Sequence, residues 1–391
     1  MNDFVFCAPT KVFFGKDTHK QAGSIVAGYG FKKIMLHFGG GSVKRNGVYD
    51  AVMDSLTSAG IEVVELGGVE PNPKMSLVRR GIALARETGV QLILALGGGS
   101  VIDSAKAIAV GTANEEDPAL FFAKVAEPKA ALPVGTILTL SAAGSEMSNS
   151  CVITNDETWE KRGLGSDFHR PLFSIMNPEL TYTVDRWQTG CGIVDIMMHT
   201  LERYLTKESE MALTDRIAES ILKTVVEYGR IAIDNPRDYE ARAQLMWAGS
   251  LSHNGLTALG RDYFMCCHQI EHEISGMFDR VSHGAGLAVV FPAWCKFAYK
   301  HNIHRFAQYA VNVWNCEMNF ADPEKTALAG IRATEEFFAS IGMPTRLSQL
   351  DIPEESIEEL AWNTTFKGKR TLPGYGEYGK DEIIEILRLA L

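Results

Sequence analysis

The sequence predicts an α/β plus all-α protein: a parallel-sheet dinucleotide-binding domain over residues 1–183, then an all-helical metal-binding domain over residues 184–391. Three observations carry this. Apolar strand-like runs alternate with helical stretches through the first half, and two of those runs end in Gly-Gly-Gly-Ser. From about Val184 onward, strand patterns fade while helical periodicity continues. A chain of 391 residues also exceeds one ordinary hydrophobic core, so two domains are expected on size alone.

Lys32–Phe38 (KKIMLHF) is a short apolar run closing in Gly39-Gly40-Gly41-Ser42, with a helical stretch from Val48. Ile61–Leu66 (IEVVEL) repeats the strand pattern, and the turn-rich GVEPNPK leads into a helix over Met75–Thr88. Val90–Ser100 (VQLILALGGGS) is a third strand closing in Gly97-Gly98-Gly99-Ser100, and the helix VIDSAKAIAVG follows at once. Such alternation reads as a doubly wound parallel sheet.

Glycines at 97–99 let the backbone turn tightly and approach a ligand. The helix behind them aims free N–H groups and its positive end at a phosphate. The turn is neither GxGxxG nor a Walker loop. It would also serve as a plain strand-to-helix turn, but three consecutive glycines exceed that need, so pyrophosphate binding is expected. The first triple glycine lies where a nucleotide fold meets the adenosine ribose. An acid there would bind the 2′-hydroxyl. This turn instead offers Ser42, then Lys44 and Arg45, which favours a 2′-phosphate and hence NADP(H) over NAD(H). Glu65, ending the next strand, argues for NAD(H).

Pro133–Leu140 predicts a further strand, leading into the small-residue loop Ser141–Ser150. Its hydroxyls suit a phosphate or nicotinamide amide as well as they suit an ordinary polar loop. Cys151–Asp156 and Leu172–Thr181 look like strand edges closing the domain, with Asn177-Pro178 as a boundary turn. Helices are expected over Val184–Leu205, Thr214–Ile233, Tyr239–His253 and Glu324–Ser340.

The chemistry concentrates between Asp195 and His283. Asp195 and His199 are four apart, as are His268 and His272, a spacing that stacks two side chains on one helical face. Helical histidines four apart are also common as solvated or core-packed side chains. Here His199, His253, His268, His272 and His283 share one region with the acid, out of ten histidines in all. Imidazoles with one carboxylate suit Fe²⁺ or Zn²⁺ with positions left for substrate. Cys266 and Cys267 directly precede His268, but adjacent side chains diverge on a helix, so buried packing is the expectation for them.

A net charge of −10 without a cluster of Lys and Arg excludes a nucleic-acid binder. No apolar run reaches the length of a membrane span. The N-terminus lacks a signal-peptide pattern, and seven scattered cysteines fit a reducing compartment, so a cytoplasmic protein is expected.

Together these pieces resemble the iron-containing (group III) alcohol dehydrogenases, and within them the bacterial NADPH-dependent butanol dehydrogenases and aldehyde reductases. The resemblance rests on PTKVFFG from Pro9, GGGSVKRNGVYD from Gly39, GVEPNP from Gly68, ALGGGSVIDSAKAIA from Ala95 and GSEMSN from Gly144. It continues with EKRG from Glu160, NPELT from Asn177, DIMMHTLERY from Asp195, IEHEIS from Ile270 and HGAGLAVVFPAW from His283. It implies a dehydroquinate synthase-like fold with one divalent metal, Fe²⁺ or Zn²⁺, between the domains, held by Asp195, His199, His268 and His283. It places the cofactor on Gly39, Gly40, Gly41, Ser42, Asn72, Gly97, Gly98, Gly99, Ser100, Asp103, Thr139, Ser145 and Lys161. His272, one turn beyond the third ligand, is placed near the nicotinamide and is the candidate proton donor. A homodimer is implied, with PTKVFFG as its candidate interface.

One departure stands out. RDYFMCCH precedes the third ligand, where the butanol dehydrogenases carry a Gly-Asp-Trp-Ala-type stretch. Arg261–Cys267 is therefore expected to line the substrate pocket and tune its preference. The expected reaction moves a hydride between NADP(H) and a short-chain primary alcohol or aldehyde such as butanol and butyraldehyde. A divalent ion with one carboxylate and three neutral imidazoles would keep a charge of about +1, enough to polarise a carbonyl oxygen. Alternatives are an NAD(H)-dependent lactaldehyde or propanediol oxidoreductase, a dehydroquinate-synthase-like lyase, and a non-catalytic binding protein. The lyase would need more basic residues for a phosphorylated acidic substrate, and the binding protein a lost ligand position.

Overall fold

The computed structural model of the chain describes residues 1–207 and 211–391. It divides into two units: Cys7–Val184, and Asp185–Leu391 together with Met1–Phe6. The first six residues, assigned from sequence to the first domain, thus group with the helical unit. The Asn2 N–H donates to the Gly260 carbonyl at 2.8 Å, and Met1 fills space beside Gly260 that a Cβ there would occupy.

The first unit carries eight strands: β1 (Lys11–Phe14), β2 (Lys33–Gly39), β3 (Glu62–Val69), β4 (Leu92–Gly97), β5 (Val134–Leu138), β6 (Ser150–Asn155), β7 (Glu160–Gly165) and β8 (Phe173–Met176). Six form one sheet in the order β1-β8-β5-β4-β2-β3, and every pairing in it is parallel. β4 is buried along its whole length, as its unbroken Leu-Ile-Leu-Ala-Leu run requires of a central parallel strand. β6 and β7 form a separate antiparallel hairpin.

Two expectations for this region change. The Leu172–Thr181 segment holds β8, which is not an edge but lies between β1 and β5, because β1 from the N-terminus pairs outside it. Glu160–Gly165, read from sequence only as the EKRG motif, is a strand whose pairing with Ser150–Asn155 no local pattern announces.

The chain runs from β2 outward to β3, then returns to place β4 on the other side of β2. The order therefore reverses between β2 and β4, and a ligand is expected outside the carboxyl ends at such a reversal. Gly39-Gly40-Gly41 and Gly97-Gly98-Gly99 are those two carboxyl ends, with Phe38 and Leu96 in register.

The second unit is helical apart from one short antiparallel hairpin, Leu372–Pro373 with Glu377–Tyr378, which departs from the all-helical expectation. Arg186–Tyr204, Cys266–Met277 and His283–Ala298 pack on one another, while Ala212–Asp234, Tyr239–His253, Ile303–Trp314 and Pro323–Ser340 surround them. Trp294, Phe306, Tyr309, Met197 and Met198 are wholly buried, as expected of core side chains, whereas His301 and His304 are exposed. Among the described residues, no helix is long and apolar enough to cross a membrane.

Candidate metal and cofactor sites

In the first unit, the Gly99–Ala113 helix starts at the second triple glycine. Gly97 fills a place that a side chain cannot take without a shift, and Gly98 and Gly99 are tightly enclosed. A Cβ on Gly97 would stand 2.5 Å from Val101 Cγ2, one on Gly98 3.1 Å from Leu140 Cβ, and one on Gly99 3.2 Å from Ala143 Cβ. Small side chains of the helix and the following loop thus pack directly against the glycine backbone around the helix N-terminus, and the helix's first N–H groups are left without intrahelical partners. In the first triple glycine, Gly41 adopts φ +117°, which L side chains rarely take. Ser42, Lys44 and Arg45 beyond it are exposed. Lys44 Nζ is 3.6 Å from a Glu65 carboxylate oxygen and lies over the Tyr49 ring, with both charged groups about half exposed.

The Ser141–Ser150 loop is held from below by a residue that sequence reasoning passed over. Lys106 is wholly buried, and its Nζ donates to the carbonyls of Ser145 (2.7 Å), Ser148 (3.1 Å) and Ser150 (2.8 Å) and to the Ser145 hydroxyl (2.8 Å). Burial pushes its ammonium below the usual lysine range, against the opposing pull of the Asp103 carboxylate. Asp103 itself accepts from the Ser145 hydroxyl at 2.5 Å and from the Val152 N–H at 2.9 Å. Two residues of the GGGSxxDxAK run therefore clamp the loop that carries Ser145. The sequence signal was a lysine on the small, apolar helix DSAKAIAVG. Thr139 joins the same surface, its N–H donating to Gly97 O at 3.1 Å. Asn72 is buried at φ +54°, and Lys161 is buried on β7.

In the helical unit, the four residues expected as ligands converge. Asp195 Oδ1 lies 3.3 Å from His199 Nδ1, 3.7 Å from His268 Nε2 and 3.8 Å from His283 Nε2. Two ligand atoms each ~2.1 Å from an ion at a tetrahedral angle stand roughly 3.4 Å apart, so the spacing fits one first-row divalent metal. Asp195 Oδ1, His199 Nδ1 and His268 Nε2 are buried without a hydrogen-bond partner. Orphaned buried polar atoms are costly unless something occupies the space between them. An ion would satisfy all three at once.

Close helix approach makes this possible, and glycine makes the approach possible. A Cβ on Gly284 would stand 2.1 Å from the Cys191 carbonyl oxygen, and one on Gly286 would stand 2.7 Å from Glu271 Cγ. The HGAG sequence thus seats His283 against the Asp195 helix. Two carboxylates stand behind the imidazoles: Glu202 pairs with His268 Nδ1, and Glu271 with His283 Nδ1. Burial opposes a charged His268, but the Glu202 and Asp195 carboxylates raise it to about 9. Burial and the neighbouring His253 and His268 hold His199 well below the usual imidazole range. The His253 ring stacks on His199 with centroids 3.9 Å apart. His272 stands beside the group, its ring centroid 5.5 Å from that of His283 and 6.5 Å from that of His268.

The Arg261–Cys267 segment does not behave as expected. The Arg261 guanidinium is buried, donating to Asp215 Oδ1 at 2.6 Å and to the Arg203 carbonyl at 3.1 Å, and Arg305 joins the same carboxylate. Cys266 and Cys267 are wholly buried, and burial pushes both thiols up. Both ends of the stretch are thus structural, and the exposed part is Asp262 and Tyr263. Glu202, Cys266 and Cys267 also lie within metal-ligand reach of one another. The Glu202 oxygens are nonetheless taken up by the Cys267 and His268 N–H groups and by His268 Nδ1.

Comparison with known proteins finds similar chains over nearly the whole length. Residues 9–178 match the family model described as iron-containing alcohol dehydrogenase, and residues 189–391 match the C-terminal domain of the Fe-containing alcohol dehydrogenase family. The chain is 41% identical over 389 residues to the NADH-dependent butanol dehydrogenase A of Clostridium acetobutylicum, covering 99% of each. It is 37% identical over 368 residues to the NADPH-dependent aldehyde reductase YqhD of Escherichia coli, covering 92% of each. Among solved structures, the NADH-dependent butanol dehydrogenase A of Thermotoga maritima superposes with a TM-score of 0.96 at 39% identity, over 100% of this chain and 99% of that one.

Proposed function

The chain belongs to the iron-containing alcohol dehydrogenase family, and on that premise we propose that it interconverts short-chain primary alcohols and aldehydes such as butanol and butyraldehyde. NADP(H) is the preferred cofactor in this reading, with one Fe²⁺ or Zn²⁺ ion. The observation that carries it is the meeting of Asp195 Oδ1, His199 Nδ1 and His268 Nε2, buried and unpartnered, beside His283 Nε2.

Asp195, His199, His268 and His283 would hold the ion. When bound, it supplies Lewis-acid polarisation of the carbonyl oxygen. The chain's own groups do the rest. The Gly97–Gly99 backbone and Ser100 receive the pyrophosphate at the helix N-terminus. Lys106 and Asp103 keep the loop carrying Ser145 in place, with Thr139 beside it, while Asn72 and Lys161 complete the cofactor surface. The His272 imidazole exchanges the proton with the alcohol oxygen, a role open to a ring that can both donate and accept a proton.

The cofactor preference rests on Gly39–Ser42, which leaves space and a hydroxyl, and on Lys44 and Arg45, which supply cations for a 2′-phosphate. Glu65, the acid that would favour NAD(H), stands 3.6 Å from Lys44 Nζ. Seven free cysteines fit a cytoplasmic enzyme, and β1, at the sheet edge, is the candidate contact of a homodimer.

The test is NADPH oxidation, and separately NADH oxidation, with butyraldehyde, using protein stripped of metal and reloaded anaerobically with Fe²⁺ or Zn²⁺. Metal-dependent turnover preferring NADPH is expected. Turnover with NADH alone would overturn the cofactor preference and return the decision to Glu65. No turnover with any short aldehyde, despite bound metal and nucleotide, would overturn the substrate class.

A further inference from the structure

We propose that Glu202 and Glu271 are positioning residues of the metal centre. Each bonds to Nδ1 of one histidine, fixing the tautomer and ring plane that present Nε2 to the ion. The inference rests on the reading of Asp195, His199, His268 and His283 as ligands.

The arrangement is a relay across three helices. Glu202 sits seven residues after Asp195 on the Arg186–Tyr204 helix, two turns along the same face, and is 1% exposed. One of its oxygens accepts the Cys267 N–H at 2.7 Å; the other accepts the His268 N–H at 3.3 Å and bonds to His268 Nδ1. Cys267 and His268 open the Cys266–Met277 helix, so their N–H groups have no partner within it. One carboxylate therefore anchors the start of that helix and orients the ligand it carries.

Glu271, wholly buried one turn beyond His268, repeats the move onto the next helix by bonding to His283 Nδ1. Its methylene occupies the space that the missing Cβ of Gly286 leaves open. An imidazole that donates from Nδ1 has its lone pair on Nε2, and the Nε2 atoms of both rings are the ones facing Asp195 Oδ1. Among the described residues no such carboxylate bonds to His199, which is flanked instead by the His253 ring.

The two buried carboxylates strengthen the hold on a dication by raising the basicity of the imidazoles they bond to.

The test compares Zn²⁺ affinity, by competition with a chromophoric chelator, in the wild-type apoprotein, E202Q, E271Q, E202D and D195A. NADPH binding, followed by fluorescence, reports whether each variant is folded. The visible bands of the Co²⁺-loaded protein report the ligand field. A Gln amide nitrogen turned toward Nδ1 opposes a donor with a donor and removes the charge. E202Q and E271Q are each expected to weaken Zn²⁺ binding by about 10- to 100-fold and shift the Co²⁺ bands, with NADPH affinity unchanged. E202D, which keeps the charge, is expected to recover most of the loss. If Gln at 202 unsettles the helix start, E271Q decides independently. Zn²⁺ affinity within about threefold of wild type in both Gln variants, while D195A loses the ion, would overturn this proposal and leave the ligand set standing. Retention of the ion by D195A at wild-type affinity would overturn the ligand set itself.

Discussion

Acidification should loosen the parallel-sheet unit through one side chain, His37. It lies wholly buried on β2, two residues before the first triple glycine, with Nδ1 2.8 Å from the Leu66 carbonyl of β3 and Nε2 2.8 Å from the Ser104 hydroxyl. A carbonyl can only accept, so Nδ1 carries the proton and Nε2 accepts from Ser104. The neutral ring thereby ties two strands to the helix behind Gly97–Gly99. Burial, against the help of the Leu66 carbonyl, lowers its pKa from 6.5 to about 4. The unfolded chain therefore takes up a proton first as pH falls, so the stabilisation is complete above pH 6.5 and disappears as pH falls toward 4. At about 1.4 kcal/mol per unit, the whole shift is worth about 3 kcal/mol, of which about 2 kcal/mol is gone at pH 5. The assay is urea unfolding of wild type and His37→Gln, each at pH 7 and pH 5. Gln does not titrate, so the stability gap between the two proteins should narrow by about 2 kcal/mol on acidification, while groups common to both, such as His169, cancel. A gap that stays constant would refute the reasoning.

Three further predictions follow from named contacts. Gly284→Ala places a methyl 2.1 Å from the Cys191 carbonyl and must push the His283 helix away. It should reduce metal content after dialysis, measured by elemental analysis, and lower stability by about 1–3 kcal/mol. Lys106→Met removes the clamp under Ser141–Ser150, so KM for the nicotinamide cofactor should rise by on the order of tenfold while metal stoichiometry stays at the wild-type level. An unchanged KM would mean the loop holds itself. Lys44→Ala releases Glu65 and removes a cation beside the first triple glycine, and the kcat/KM ratio of NADPH over NADH should fall by about tenfold, one strong charge contact's worth.

Features set by neighbours along the chain were legible in the sequence. A run such as LILALGGGS announces a buried strand that ends at glycines with a helix starting directly behind it. Asp195 with His199 is a spacing rule on one helix, and the same rule, carried one turn further, would have found Glu202. Lys106 was equally readable as a cation stranded on an apolar helix. Neither stood out, because a buried charge in a sequence looks the same as a solvated one until the surface it faces is known.

What lay out of reach was everything that depends on two distant segments arriving together. That β8 lies inside the sheet follows from β1 pairing outside it, a choice made across about 160 residues. That Arg261 is an ion-pair partner of Asp215 rather than a pocket wall follows from where two other helices sit. That His268 and His283 each rest on a carboxylate follows from glycines at 284 and 286 letting three helices approach within side-chain reach. Local patterning sets periodicity, turn and charge because these act over a few bonds. Partners, burial and the facing nitrogen of each imidazole are decided only when the packed chain chooses which surfaces water leaves.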